Sequence, residues 1–245
     1  LGKNLSKIYH LDAHWRGSHP WNEITGVQAI QTGIWLPLLN AFPDLERRDT
    51  LTIGGQYEGG DYVGLVGHLV GTFRREWIGI EATDQVIYLR YGEFHQMLGG
   101  KIIESTVLID VLDFIRQAGF WPIAPSLGME GLWAGPFSGD GIVLTPQDSN
   151  ESARSLKLTM EMQASLGAYS DIDEGGREGL LNMPQKHFWH PKMMWFGPSG
   201  IGTTRGLEGF VDHHQLPFRT AFPRDPQRPQ LPGMGKHGGN HYVRI

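Results

Sequence analysis

The chain has 245 residues, 40% hydrophobic and 19% charged, and contains no cysteine. Disulfides, a thiol nucleophile and a thiolate metal site are therefore excluded. A net charge of −5 without a basic cluster argues against nucleic acid or an anionic membrane surface as the main partner. No apolar run approaches the ~20 residues that span a bilayer, Leu1 does not begin a signal peptide, and a cytoplasmic protein is expected.

In chain order, His10 to Gly26 reads as an irregular stretch dense in Trp15, His19, Pro20 and Trp21. Gly26 to Asn40 carries Val27, Ile30, Ile34, Leu38 and Leu39 at helical spacing, with Pro37 placed to bend or end the helix. Leu51–Glu58, Tyr62–Phe73 and Gln85–Met97 alternate as strands. The Gly99-Gly100 pair turns the chain into a last strand, Ile102 to about Asp110. Val111 to Ala118 is a short closing helix stopped by Gly119. Helices followed by a run of antiparallel strands make an α+β cone. Phe120 to Thr145, rich in Gly and Pro without periodicity, reads as a linker. Thr145 to Gly167 reads as a helix with capping candidates at Ser149 and Asn150, and Asp171 to Arg177 as an acidic loop.

The chain matches itself at an offset of 180 residues. Trp15 falls on Trp195, Gly17 on Gly197, Gly26 on Gly206, Leu36-Pro37 on Leu216-Pro217 and Ala41-Phe42-Pro43 on Ala221-Phe222-Pro223. The register continues without a gap through Arg48/Arg228, Leu51/Leu231, Gly55/Gly235, Gly59/Gly239 and Tyr62-Val63/Tyr242-Val243, giving 14 identities in 51 pairs. Chance supplies roughly three at about 6% per position. Two copies of one domain are expected: the first at 1–120, a linker at 121–144, and a second at 145–245 whose C-terminal sheet is missing. The chain is expected to be truncated at both ends, since the second copy stops opposite Leu65 and the 145–167 helix has no counterpart before Leu1.

The first copy resembles the SnoaL-like polyketide cyclase (ester cyclase) family, within the fold shared by nuclear transport factor two and ketosteroid isomerase. The resemblance is carried by AFPDL at 41–45, GHLVGTF at 67–73, GIEAT at 79–83, LRYGEFHQMLGGKIIES at 89–105 and DVLDFIRQAG at 110–119. In the second copy it is carried by WHPKMMWFGPSGIG at 189–202, RGLEGF at 205–210 and HHQLPFRTAFP at 213–223. It implies two tandem cone-shaped α+β barrels whose mouths admit a small apolar or carbonyl-bearing ligand. It also implies cofactor-independent, metal-free acid/base chemistry: aldol ring closure, or a related isomerase, dehydratase or hydrolase. A homodimer or higher homo-oligomer follows from the same resemblance. A non-catalytic ligand-binding or oligomer-scaffold module is the alternative, because one fold hosts both.

Strand parity groups Tyr91, Glu93 and His95 on one face, and Glu104, Thr106, Leu108 and Asp110 on one face of the partner strand. Asp110 matches the family's general acid/base position as well as the N-cap of the following helix; the aromatic-rich segment usual before it is here Ser105-Thr106-Val107. Glu93 matches a carboxylate position that is functional in ketosteroid isomerases. Proton removal from a carbon α to a carbonyl needs a positioned carboxylate, whose basicity rises when an apolar cavity desolvates it. His95 and His68 are candidate proton carriers. Trp15, Trp21, Trp35, Tyr91, Trp195 and His214 are candidate ligand-binding rings, although such aromatics are more often core and a cone lets them be both. The pairs His187/His190, His213/His214 and His237/His241 lack a zinc-site pattern, and GPSGIG at 197–202 and GMGKHGG at 233–239 read as turns.

Overall fold

The computed structural model describes residues 5–135, 142, 145–146, 148–165 and 175–222. These divide into two compact units. One holds 5–123 with 134, 135 and 142; the other holds 124–133 and the described residues from 145 to 222. The expected 121–144 linker is thus shared between them.

The first unit has a mixed α+β fold with a curved sheet. Its elements are α1 (Leu5–Ile8), β1 (Tyr9–Gly17), β2 (Glu23–Thr25), α2 (Val27–Ile30), α3 (Leu36–Ala41), β3 (Glu46–Tyr57), β4 (Gly60–Thr72), β5 (Val86–Leu98), β6 (Lys101–Ile109) and α4 (Val111–Gln117). The sheet order is β2-β1-β6-β5-β4-β3, antiparallel except for the β1–β6 pair. The ladder shifts register at Asp49/Leu51 and at Gln96/Met97, the kind of bulge that bends a sheet around a core. Strand β3 begins five residues before the expected Leu51, and the stretch from His10 expected to be irregular is largely β1 and β2.

Pro37 does not end its helix. A proline offers no N–H to the carbonyl four residues back, that of Gly33. The chain widens into a π-helical turn over Gln31–Trp35 and resumes as α3. Ile30, Ile34, Leu38, Ala41 and Phe42 of this helical segment are buried in the same core as Leu69, Phe73, Ile87 and Leu89 of the sheet. Each large side chain so buried contributes roughly 1.5–3 kcal/mol of transfer free energy. Rings run continuously through the core. Trp15 meets Trp21 edge-on at 6.3 Å, Trp21 meets Trp77 at 5.7 Å, and Trp77, Phe114, Phe73 and Phe42 follow at 5.0–6.0 Å.

The second unit contains α5 (Ser149–Ser165), α6 (Gly176–Leu181), a 3₁₀ turn (Pro184–His187), β7 (Met194–Phe196), β8 (Thr203–Arg205), α7 (Gly206–Phe210), a π-helical turn (Val211–Gln215) and α8 (Leu216–Ala221). The N-terminus of α5 is capped by Asp148 rather than by Ser149 or Asn150, its carboxylate accepting from the N–H groups of Asn150 and Glu151 at 2.8 and 3.0 Å. Residues expected to be linker add to the β7–β8 hairpin. Met129 bridges Thr203, and the Glu130 carboxylate accepts from the Ser199 hydroxyl at 2.7 Å and the Gly200 N–H at 2.9 Å.

Local geometry recurs at the 180-residue offset. Pairings His14↔Thr25, Trp15↔Ile24 and Arg16↔Glu23 recur as Met194↔Arg205, Trp195↔Thr204 and Phe196↔Thr203. The π-helical turns, at 31–35 and 211–215, and the α-turns beginning at each Leu-Pro coincide residue for residue. A Cβ on Gly17 would lie 2.2 Å from the Trp15 ring, and one on Gly197 would lie 2.4 Å from the Trp195 ring. Glycine is required at both because a tryptophan lies across it.

Candidate active site

Three strands of the first unit bring polar side chains toward its apolar interior, those of β3 and β5 ionisable. On β5 the inward set is Ile87, Leu89, Tyr91, Glu93 and His95, all buried. The cross-strand partner of His95 on β6 is Ser105, which is completely buried. From β3, Arg47 and Asp49 reach the same place.

The Glu93 carboxylate is the hub. Its Oε2 accepts from Arg47 Nη2 at 2.6 Å and lies 3.3 Å from His95 Nε2. His95 Nδ1 lies 2.8 Å from Ser105 Oγ. Arg47 also donates to Asp49, from Nε at 3.0 Å, and lies 4.6 Å over the Tyr91 ring. The Tyr91 hydroxyl donates to Asp49. Gly67 makes that last contact possible. It sits on β4 directly between Asp49 on β3 and Tyr91 on β5, and a Cβ there would lie 2.3 Å from the Arg48 carbonyl oxygen and 2.7 Å from the Tyr91 hydroxyl.

Burial pushes the Glu93 carboxyl up, but the hydrogen bonds from His95 and Arg47 outweigh it and hold it below its ordinary value. The carboxyl is therefore ionised. Its partner Arg47 is bound still more firmly to its proton: burial opposes the charge, and the Glu93 and Asp49 carboxylates overcome that. Burial raises the Tyr91 phenol, and its bond to Asp49 raises it further. The Tyr9 phenol, facing Ser105, is pushed up to about 12, mainly by burial. Both phenols are thus neutral donors. Both hydrogen bonds to Glu93 end on Oε2, so Oε1 has no partner among the described residues. The side chains of Arg47 and Asp49 keep 24% and 30% exposure against 6% for Glu93, so the group runs from the protein surface inward.

Asp110 is not in this group. It shares the opposite sheet face with Arg90, which donates to it at 2.5 Å, and its Oδ1 caps α4 by accepting from the Asp113 N–H at 3.1 Å. Strand parity separates it from Glu93 and His95: Glu93 and Asp110 point to opposite sides of the β5–β6 pair. His68 also lies on that opposite face, cross-strand from Arg90 and edge-on to Tyr88 at 6.1 Å. Burial lowers its pKa, and Arg90 lowers it further.

Trp15 and Trp21 belong to the continuous ring packing of the core. Trp35 is buried, and its indole N–H has no partner among the described residues. In the second unit Trp195 and His214 stack at 4.4 Å, 18° from parallel, and Phe210 closes on both at 5.2 Å. Burial lowers the pKa of His214, whose Nδ1 is a buried atom without a partner among the described residues. A depression of about 140 Å³ bounded by His14, Arg16, Glu23 and Thr25 lies at the exposed β1–β2 edge. Among the described residues no three His, Asp or Glu are grouped to hold a metal ion; His237 and His241 fall outside those residues.

Sequence reading missed Arg47, Asp49, Ser105 and Tyr9. The first two alternate in the charged run Glu46-Arg47-Arg48-Asp49, whose polarity hides a strand. Ser105 is recoverable by pairing the hairpin outward from Gly99-Gly100, once the bulge beside Met97 is known.

No protein-family profile matches the sequence, and no curated protein matches it. Solved structures do. AclR from Streptomyces galilaeus, described as a candidate hydroxylase, is 21% identical over 49% of this chain and 74% of its own, with a TM-score of 0.39. A SnoaL-like candidate polyketide cyclase from a Jannaschia species is 17% identical over 48% and 78%, with a TM-score of 0.38. IdmH from Streptomyces antibioticus, a candidate polyketide cyclase, is 20% identical over 47% and 84%, with a TM-score of 0.40. No helix among the described residues is long and apolar enough to cross a membrane.

Proposed function

We propose that the first unit is a SnoaL-like small-molecule enzyme performing acid/base chemistry on a carbonyl-bearing ligand, with Glu93 as the base. The observation that carries this is the burial of Glu93 and His95 in an apolar interior, with the half-buried Arg47 paired to Glu93. Desolvating such groups costs several kcal/mol per ion, and well-packed apolar residues would serve stability as well or better. In this reading Glu93 Oε1 takes a proton from a carbon α to the carbonyl. Arg47 and His95 hold Oε2, fixing the carboxylate's orientation and keeping it ionised. The same bonds that hold Glu93 low lessen its basicity, so positioning carries more of the catalysis than proton affinity. Ring closure, isomerisation and dehydration all begin with this step, and none of them requires a metal or redox cofactor. The test is α-proton exchange: full-length protein in D₂O with a panel of small ketones, lactones and polyketide fragments, read by loss of the α-proton signal. Glu93→Gln abolishes the exchange; exchange that survives the substitution removes Glu93 from the mechanism.

A scaffold reading has its own support. The outer sheet face exposes Ile53, Phe94 and Leu108 at 63%, 47% and 66%, around Gly64 and Gly92. Such an exposed apolar face suits a homodimer. Sedimentation of the full chain tests it, with Phe94→Glu shifting a dimer to monomer. We also infer that the units are copies of one domain, supported by the coincidence of sequence, strand register and π-helical turns at one offset.

A further inference from the structure

His95 bridges two partners whose chemistry fixes where its proton sits. Nε2 faces Glu93 Oε2 at 3.3 Å, and the same oxygen already accepts from Arg47 at 2.6 Å. A bare Nε2 there would set a lone pair against a carboxylate, so Nε2 carries hydrogen. A second proton on Nδ1 would make the ring a cation beside the Arg47 guanidinium, in a position 6% exposed. It would also turn the Ser105 hydroxyl, 2.8 Å from Nδ1, from donor to acceptor and leave its hydrogen to find another partner in a fully buried place. The Tyr9 phenol, hydrogen-bonded to Ser105 and kept protonated by burial, can give its own proton to the Ser105 oxygen, which leaves the Ser105 hydrogen for His95 Nδ1.

We infer that Ser105 is a positioning residue: its hydroxyl donates to His95 Nδ1 and holds the ring as the neutral Nε2–H tautomer, so that Glu93 keeps a fixed donor on Oε2 and leaves Oε1 free of that pairing. Only the use of Oε1 rests on the catalytic reading above; the tautomer does not. Ser105 therefore acts on Glu93 through His95, without touching a ligand.

The experiment is ¹⁵N NMR of the full-length protein labelled at histidine side chains, with His95→Gln identifying the His95 signals. At neutral pH the wild-type ring shows one proton, on Nε2. Ser105→Ala lowers the ratio of Nε2–H to other forms roughly tenfold, the loss of one hydrogen bond, and Ser105→Thr, which keeps the hydroxyl, restores it. A wild-type ring protonated at Nδ1, or a Ser105→Ala spectrum identical to wild type, overturns the inference. Because no substrate is needed, this result is independent of whether Glu93→Gln stops α-proton exchange, which judges the catalytic reading alone.

Discussion

Gly67→Ala is the most informative single methyl group that can be added to this protein. Gly67 lies in the middle of β4, outside the positive-φ glycines, so an alanine meets no backbone penalty there. The cost is contact alone. The new Cβ would stand 2.3 Å from the Arg48 carbonyl oxygen, 2.7 Å from the Tyr91 hydroxyl and 2.9 Å from the Asp49 Cα. Two of these are backbone atoms at the β3 bulge, which cannot swing aside, and overpacking of this kind costs about 1–3 kcal/mol. Displacing the Tyr91 hydroxyl from the Asp49 carboxylate forfeits a charge-assisted bond worth about 1.5–3 kcal/mol. The sum is roughly 2.5–6 kcal/mol, a large part of a domain's stability. Urea unfolding followed by tryptophan fluorescence, resolved into separate transitions for the two units, measures it. In a Tyr91→Phe background the hydroxyl contact is already gone, so the same substitution costs about 1–3 kcal/mol. A Gly67→Ala protein within about 0.5 kcal/mol of wild type would refute the packing of β3, β4 and β5 around Asp49.

Other outcomes follow from the same network. Arg47→Met leaves Glu93 buried without its main counter-charge and costs about 3–5 kcal/mol near neutral pH. In wild type the Glu93 carboxyl is lowered from 4.5, so its ionisation stabilises the fold above that value and the contribution is lost as pH falls through the lower folded value. In the variant burial dominates and raises the carboxyl, so the difference in urea midpoint narrows on acidification toward pH 4.5. Asp110→Ala removes the cap of α4 and a partner of Arg90, and lowers stability by at least about 1 kcal/mol while leaving ligand exchange intact. Leu38→Ala, in the sealed core, costs about 2–5 kcal/mol. Its counterpart Phe218→Ala, at a position 50% exposed, costs under about 1 kcal/mol in thermal melts.

How much of this was legible in the sequence depended on locality. Strands β4 to β6 alternate clearly, and the Gly99-Gly100 turn fixes their pairing, so the grouping of Tyr91, Glu93 and His95 follows from parity. Parity within each strand does not say which face is inside, and that choice separated Asp110 from Glu93. The first two strands were hidden because β1 pairs in parallel with β6, some 90 residues away, and nothing local marks that partner. Arg47 and Asp49 were hidden for the opposite reason: charges at the start of β3 read as solvated, whereas buried counter-charges supply the pairing that lets them enter an interior. Pro37 read as a residue that bends or ends its helix, and the helix passes it by widening for one turn.

The measurement that bears most directly on the central claim is α-proton exchange in D₂O by wild type, Glu93→Gln and Asp110→Asn, with thermal midpoints recorded alongside. If Glu93 is the base, the wild type exchanges at least one compound of the panel. Glu93→Gln, which keeps an acceptor for Arg47, loses roughly 10²–10⁴-fold of that rate, and Asp110→Asn keeps it. Exchange that survives Glu93→Gln but is lost with Asp110→Asn would contradict the assignment and move the chemistry to the other face of the sheet.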